Sequence, residues 1–230
     1  MSWLSQALSS SLGKKLLMAL TGLFLIFFLT GHLLGNFLLF KEDGGQSFNE
    51  YAKFMTTTPA ILLLSIVTYA CIIFHVIYSI VITIHNRNSR PVRYAVTNPS
   101  ANSLWTSRSM GVLGTIVLIF VVIHLKSFWY EMKFGSIPIV DYSSGSMKDL
   151  YRIVNVAFTQ LWYVAFYVFS MIILSFHLSH GFKSAFQTLG LSHVKYTPLI
   201  KIIGMAYAII VPLLFASMPV YLYMKSHGLI

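Results

Sequence analysis

The sequence predicts an all-α integral membrane bundle of five transmembrane helices, and three observations predict it. Hydrophobic residues make up 57% of the chain and charged residues only 10%, where a soluble domain carries roughly a quarter charged residues. Five uncharged windows, 16–40, 54–86, 109–125, 153–182 and 202–224, separate the lysines and arginines, and about 20 apolar residues span a bilayer core. All six acids fall in alternate connections between those windows. The whole of 1–230 reads as one transmembrane domain.

The first window includes Thr21 to Phe40, TGLFLIFFLTGHLLGNFLLF, which carries His32 between Gly31 and Gly35. Lys14 and Lys15 precede it, in the manner of a signal peptide. The uncharged run from Leu16 to Phe40 is too long for a cleaved apolar region, so it reads as a retained helix over 16–40. Residues 41–58 read as a polar loop ending at Pro59, a residue suited to a first helical position. The second helix is expected over about 60–85. The third is short if cut at Lys126, but a lysine stem can reach to the interface, which extends it over 109–130. The fourth is expected over about 155–182 and the fifth over 202–224, bent by Pro212 and Pro219 as membrane helices tolerate. Residues 86–108, with Pro91 and Pro99, and 131–152, with Gly135, Pro138 and Gly145, are connections.

The net charge of +10 raises nucleic acid as a partner, but its distribution argues for topology instead. The N-terminus and the 86–108 and 183–201 connections hold nine Lys and Arg and no acid. The opposite side holds seven, with Glu42, Asp43, Glu50, Glu131, Asp141 and Asp149. The positive-inside rule then places the N-terminus in the cytoplasm and the C-terminus outside. The lone Cys71 makes no internal disulfide, and no Cys-x-x-Cys-His, phosphate loop or dinucleotide fingerprint is present.

Alternating topology also fixes the depth of the histidines. His32 and His124 share the outer half, and His75 and His177 the inner half, with the two layers roughly 10–20 Å apart at 1.5 Å per helical residue. Each layer takes its two histidines from different helices, which is what bis-histidine ligation of haem requires. Gly35, Ser79, Ser127 and Gly181 follow one turn after these histidines and are expected to leave room for a porphyrin edge. Interhelical hydrogen bonding is the plain alternative for a single membrane histidine. A proton relay lacks the buried acids such relays use, and zinc lacks donors at two histidines per layer. His180 rivals His177 on nearly the same face. His85, His193 and His227 fall at helix ends or in connections.

From about Lys14 to Met224 the chain resembles the cytochrome b membrane-anchor subunit of bacterial succinate:quinone oxidoreductases, the single-subunit, two-haem type of succinate dehydrogenase and fumarate reductase. The resemblance rests on LIFFLTGHLLGN around His32, IIFHVIYSIVI around His75, LGTIVLIFVVIHL around His124 and SFHLSHGFKSAFQTLG around His177, with SFNEYAKFMTTTP before the second helix. It implies two haem b groups held by His32 with His124 and His75 with His177. It favours His177 over His180 because the ligand in that segment is followed four residues later by glycine, here Gly181. It further implies an FAD-containing flavoprotein and an iron–sulfur subunit docked on the cytoplasmic face of a bacterial inner membrane. Electrons would pass between the iron–sulfur subunit and membrane quinone, with menaquinone the family's usual partner, and no dicarboxylate chemistry on this chain. Glu50 is the candidate for proton handling at an outer quinone site, with a solvated loop acid as its alternative reading. Arg108, Lys126 and Lys183 are candidates for haem propionates or simple interface markers. Two rivals stay open: a dihaem anchor of a hydrogenase or formate dehydrogenase, and a haem-free transporter lined by histidines.

Overall fold

The computed structural model describes residues 6, 9–89 and 104–230. Arg90 and Arg93, with Pro91 and Pro99 of the basic connection, lie outside the described residues. The chain is an all-α helical bundle with one small hairpin. In order it forms α1 (Ser11–Asn36), a 3₁₀ turn (Phe37–Phe40), α2 (Gln46–Thr57), α3 (Pro59–Asn88), α4 (Trp105–Arg108) and α5 (Met110–His124). A π turn (Leu125–Tyr130) and α6 (Glu131–Phe134) prolong α5. Strands β1 (Ile139–Tyr142) and β2 (Gly145–Lys148) precede α7 (Leu150–Ala157), α8 (Leu161–Thr188) and α9 (Thr197–Ser226).

Five segments are long and apolar enough to cross a membrane: Ser11–Phe40, Pro59–Asn88, Met110–Phe134, Leu161–Thr188 and Thr197–Ser226. Only 6% to 33% of each segment's most apolar stretch is buried against protein. Large side chains such as Phe27, Leu63, Val112 and Leu213 are each at least 65% exposed, and apolar surface of that extent calls for lipid around it. The chain is therefore a multi-pass membrane protein.

All five of these segments outrun their uncharged windows, because Lys14, Lys15, Arg87, Lys126, Lys133, Lys183, Lys201 and Lys225 sit in helical turns towards their ends. Charge limits what enters hydrocarbon; it does not end a helix. The fourth helix, α8, starts at Leu161 rather than near 155. Thr159 turns its hydroxyl onto the Val156 carbonyl at 2.8 Å, a side-chain substitute for the next helical bond, and the Gln160 carbonyl accepts the first bond of α8 from Tyr163 N–H at 3.0 Å. The region expected as a polar loop, 41–58, contains the helix α2. Asp43 caps its start, accepting Gly45 N–H and Ser47 N–H at 3.1 Å each. Gly45 has φ of 89°, and a Cβ there would collide with the Tyr151 ring, so the turn into α2 needs glycine on both counts.

By contacts the chain divides into two compact units. One gathers Met1–Phe28, Val67–Thr115 and Ser175–Ile209; the other gathers Leu29–Ile66, Ile116–Leu174 and Ile210–Ile230. Each of the five long helices contributes to both. The second unit contains all six acids, together with α2, the hairpin and α7.

Those three elements form a polar cap tied at Asn49, which is 1% exposed. Its Nδ2 donates to Tyr142 Oη at 3.1 Å and to Asp149 Oδ1 at 2.9 Å, and its Oδ1 accepts Tyr151 N–H at 2.8 Å. Lys53 donates to the Ser146 carbonyl at 3.3 Å. Because α2 and the hairpin meet, the 41–58 and 135–160 connections emerge at the same ends of their helices, as strict alternation of spans requires.

Candidate functional site

The second unit brings His32 from α1 to His124 at the end of α5, with ring centroids 5.8 Å apart and planes at 89°. Phe215 of α9 lies 5.7 Å from the His32 ring. Phe120, Phe128 and Tyr167 lie 5.7, 5.4 and 6.1 Å from the His124 ring. Aromatic rings thus flank both imidazoles of this pair. The first unit brings His75 of α3 to His177 of α8, with centroids 6.4 Å apart and planes at 68°. It is His177 that stands across from His75; His180 lies one turn further along α8.

These are the two pairs expected from depth, each made by two helices. The geometry fits a shared metal ligand pair. With metal–nitrogen bonds of about 2.0–2.1 Å, two imidazoles on opposite sides of one ion place their ring centroids roughly 6 Å apart. Among the described residues no group of three or more His, Cys, Asp or Glu is gathered. All four imidazoles keep some accessible surface in mid-span. The His177 Nδ1 is buried with no hydrogen-bond partner, an orphan polar atom of the kind that calls for an explanation.

Glycines make room for the His75–His177 pair. A Cβ on Gly22 would stand 3.2 Å from His75 Cε1, and one on Gly114 would stand 3.6 Å from His177 Cε1. The small residues one turn after the histidines differ in their surroundings. Nothing lies within 4 Å of a Cβ built on Gly181, but the space beside Gly35 is filled by the Tyr51 ring, and Ser127 is bonded by Tyr163 Oη at 2.7 Å. Gly35 serves the approach of α2 to α1.

The remaining candidates are dispersed. Lys126 pairs with Glu131 at 2.6 Å and lies over the Tyr130 ring at 4.4 Å, so its charge has partners of its own. Arg108 ends α4 and Lys183 lies on the last two turns of α8, both exposed. Glu50 accepts Ser144 Oγ–H at 2.5 Å and Gln46 Nε2–H at 2.8 Å. The Ser144 bond first and the Gln46 bond second hold its carboxyl below the ordinary range. Glu50 thus lies on α2 and not in a loop, and its bond to Ser144 fastens α2 to the hairpin.

Three side chains near the histidines carried no signal in the sequence. Tyr167 Oη lies 3.1 Å from His124 Nδ1, and Tyr163 Oη lies 3.3 Å from Tyr167 Oη. Thr21 Oγ1 lies 3.2 Å from His75 Nδ1. The only available hint is that Tyr163 and Tyr167 are four residues apart, hence on one face of α8. No family model, curated protein or solved structure matches the chain.

Proposed function

We propose that this chain is a dihaem cytochrome b anchor of a bacterial succinate:quinone oxidoreductase, a membrane subunit of succinate dehydrogenase or fumarate reductase. The observation that carries the reading is the pairing itself: two histidine pairs, each from two different apolar helices, at separations suited to axial ligation. His32 and His124 would hold one haem b, and His75 and His177 the other. Bound haem supplies a one-electron couple at each pair. The protein's part is ligation, a flank of aromatic rings around His124, and a fixed place for each imidazole.

The resemblance of the sequence to such anchors supplies the partners. An FAD flavoprotein and an iron–sulfur subunit would dock on the cytoplasmic side, against the basic connection that carries Lys195 and the first turns of α9 that carry Lys201. Acidic protein surface and anionic lipid are both physical targets for such charge. Membrane quinone, menaquinone by family habit, would be the electron partner near the cap. Glu50 is the candidate acid for proton handling there, although its present bonds favour the ionised form. Arg108, Lys126 and Lys183 are the candidate cations for propionates, and Lys126 would first have to leave Glu131. Dicarboxylate chemistry would belong to the flavoprotein.

Purification from native membranes tests the reading. Reducible b-type absorption with two haems per chain, and a co-purifying flavoprotein, are expected. Absence of haem would sink it, and a co-purifying nickel or molybdenum enzyme would transfer the chain to another class of quinone-linked anchor.

A further inference from the structure

We infer that Thr21 and the hydroxyl chain Tyr167–Tyr163–Ser127 are positioning residues that hold His75 and His124 as Nδ1-protonated tautomers, leaving Nε2 of each free to ligate. The inference rests on the dihaem reading for its ligand, but the proton accounting stands on the hydrogen bonds alone. A hydroxyl group owns one proton. Tyr163 Oη gives its proton to Ser127 Oγ at 2.7 Å. At the 3.3 Å contact between the two phenols, Tyr163 can then only accept, so Tyr167 donates. The proton of Tyr167 is thereby committed, and at its 3.1 Å contact with His124 Nδ1 the phenol oxygen must accept. His124 Nδ1 therefore carries a hydrogen.

Similar accounting applies at His75, whose ring has two partners, the Thr21 hydroxyl and the Met18 backbone carbonyl. Thr21 Oγ1 donates to the Leu17 carbonyl at 2.8 Å, with the Met18 carbonyl also in reach at 3.2 Å. Carbonyls only accept, so either bond uses the threonine proton. At 3.2 Å from His75 Nδ1, Thr21 Oγ1 accepts and His75 donates. A neutral imidazole with hydrogen on Nδ1 has its lone pair on Nε2, and a buried imidazole in an apolar span is neutral unless a counter-ion is supplied. Tyr163 and Tyr167 are 7% and 6% exposed, so water does not readily reverse the order of donors.

One imidazole of each pair is thus oriented by an oxygen, the arrangement that fixes the ring and raises the basicity of a metal-binding histidine. In the His75–His177 pair the control is one-sided, since His177 Nδ1 has no partner. A more basic ligand favours the higher oxidation state, so removing its acceptor should raise the reduction potential of the iron it holds.

The test uses the assembled, haem-loaded complex and reads potential, ferric electron paramagnetic resonance and haem content. Tyr167→Phe keeps the ring and removes the acceptor of His124. Thr21→Val keeps the shape and removes the hydroxyl acceptor of His75, leaving the Met18 carbonyl as its other partner. Each is expected to shift one haem only, the one lost in the matching histidine variant, with the other haem as the internal control for folding. The expected change is about tenfold in the ferric-to-ferrous binding ratio, read as about 59 mV for a one-electron couple. Thr21→Ser should keep the native potential. Tyr163→Phe is the sharpest variant, because Tyr163 does not bond His124. It frees the Tyr167 proton to turn onto His124 Nδ1, driving the imidazole hydrogen to Nε2, and should lower occupancy or six-coordinate character at that site. Native potentials and spectra in Tyr167→Phe and Thr21→Val would overturn the inference while leaving the dihaem reading intact. So would a native Tyr163→Phe, or a Thr21→Ser that shifts as far as Thr21→Val. A complex without haem would overturn both.

Discussion

Replacing Asn49 with Ala removes three hydrogen bonds at one buried point: two donated by its amide to Tyr142 and Asp149, and one accepted from the Tyr151 backbone. At a net worth of roughly 1 kcal/mol each, the loss is about 3 kcal/mol, or roughly 100-fold in the opening equilibrium of the cap. The effect should be local, because these bonds join α2, the hairpin and α7 and none of the membrane spans. Hydrogen exchange in detergent or nanodiscs is the assay. Peptides from 46–57, 139–148 and 150–157 should exchange roughly 100-fold faster when protection is limited by cap opening, while those from the five spans keep their native rates. Asn49→Asp should be worse than Asn49→Ala near neutral pH, since a carboxylate would replace an amide 2.9 Å from Asp149 Oδ1. Acidification should narrow that gap as one of the two carboxyls takes up a proton and can donate. Unchanged protection in the three cap segments, or an equal loss throughout the spans, would refute the account of Asn49 as the tie.

The pairing predicts that His32→Ala and His124→Ala perturb one and the same haem and that His75→Ala and His177→Ala perturb the other, while His180→Ala leaves both six-coordinate; low-temperature spectra and haem-to-protein ratios of the five variants decide it, and loss of the same haem in His32 and His75 variants would break the layering. Reporter fusions at residues 45, 97, 140, 190 and 230 should read out, in, out, in, out, and a cytoplasmic C-terminus would overturn the charge-based orientation. The carboxyls of Glu50 and Asp43 are both held low, the first chiefly by Ser144 and the second chiefly by Ser47. Their bonds therefore stabilise the cap above the ordinary carboxylate range, and that contribution is lost as pH falls through the depressed values. Exchange from the cap should quicken in acid, and Glu50→Gln should remove part of that dependence; an unchanged acid profile would show that Glu50 adds nothing to cap stability.

Membrane character, span number and the grouping of the histidines were legible in the linear chain, because each follows from counting along it. Length against hydrocarbon thickness sets the number of spans, and alternate crossing then sets the depth of every residue. His32 therefore had to share a level with His124, and His75 with His177, before any contact was known. Helix ends were less legible: Lys14 or Arg87 marks where apolar sequence stops, and a helix continues past that point as long as its backbone bonds are met. Tertiary structure alone decided the rest. Whether 41–58 is loop or helix turns in part on Gly45 meeting Tyr151, more than a hundred residues away. The space beside Gly35 belongs to Tyr51 because α2 folds back on α1. The choice of His177 opposite His75 depends on the rotation of α8 about its axis, which a spacing of three residues between His177 and His180 does not resolve. The hydroxyls on His75 and His124 come from α1 and α8, helices distant in sequence, and hydrogen bonds between distant segments leave no periodic trace along the chain.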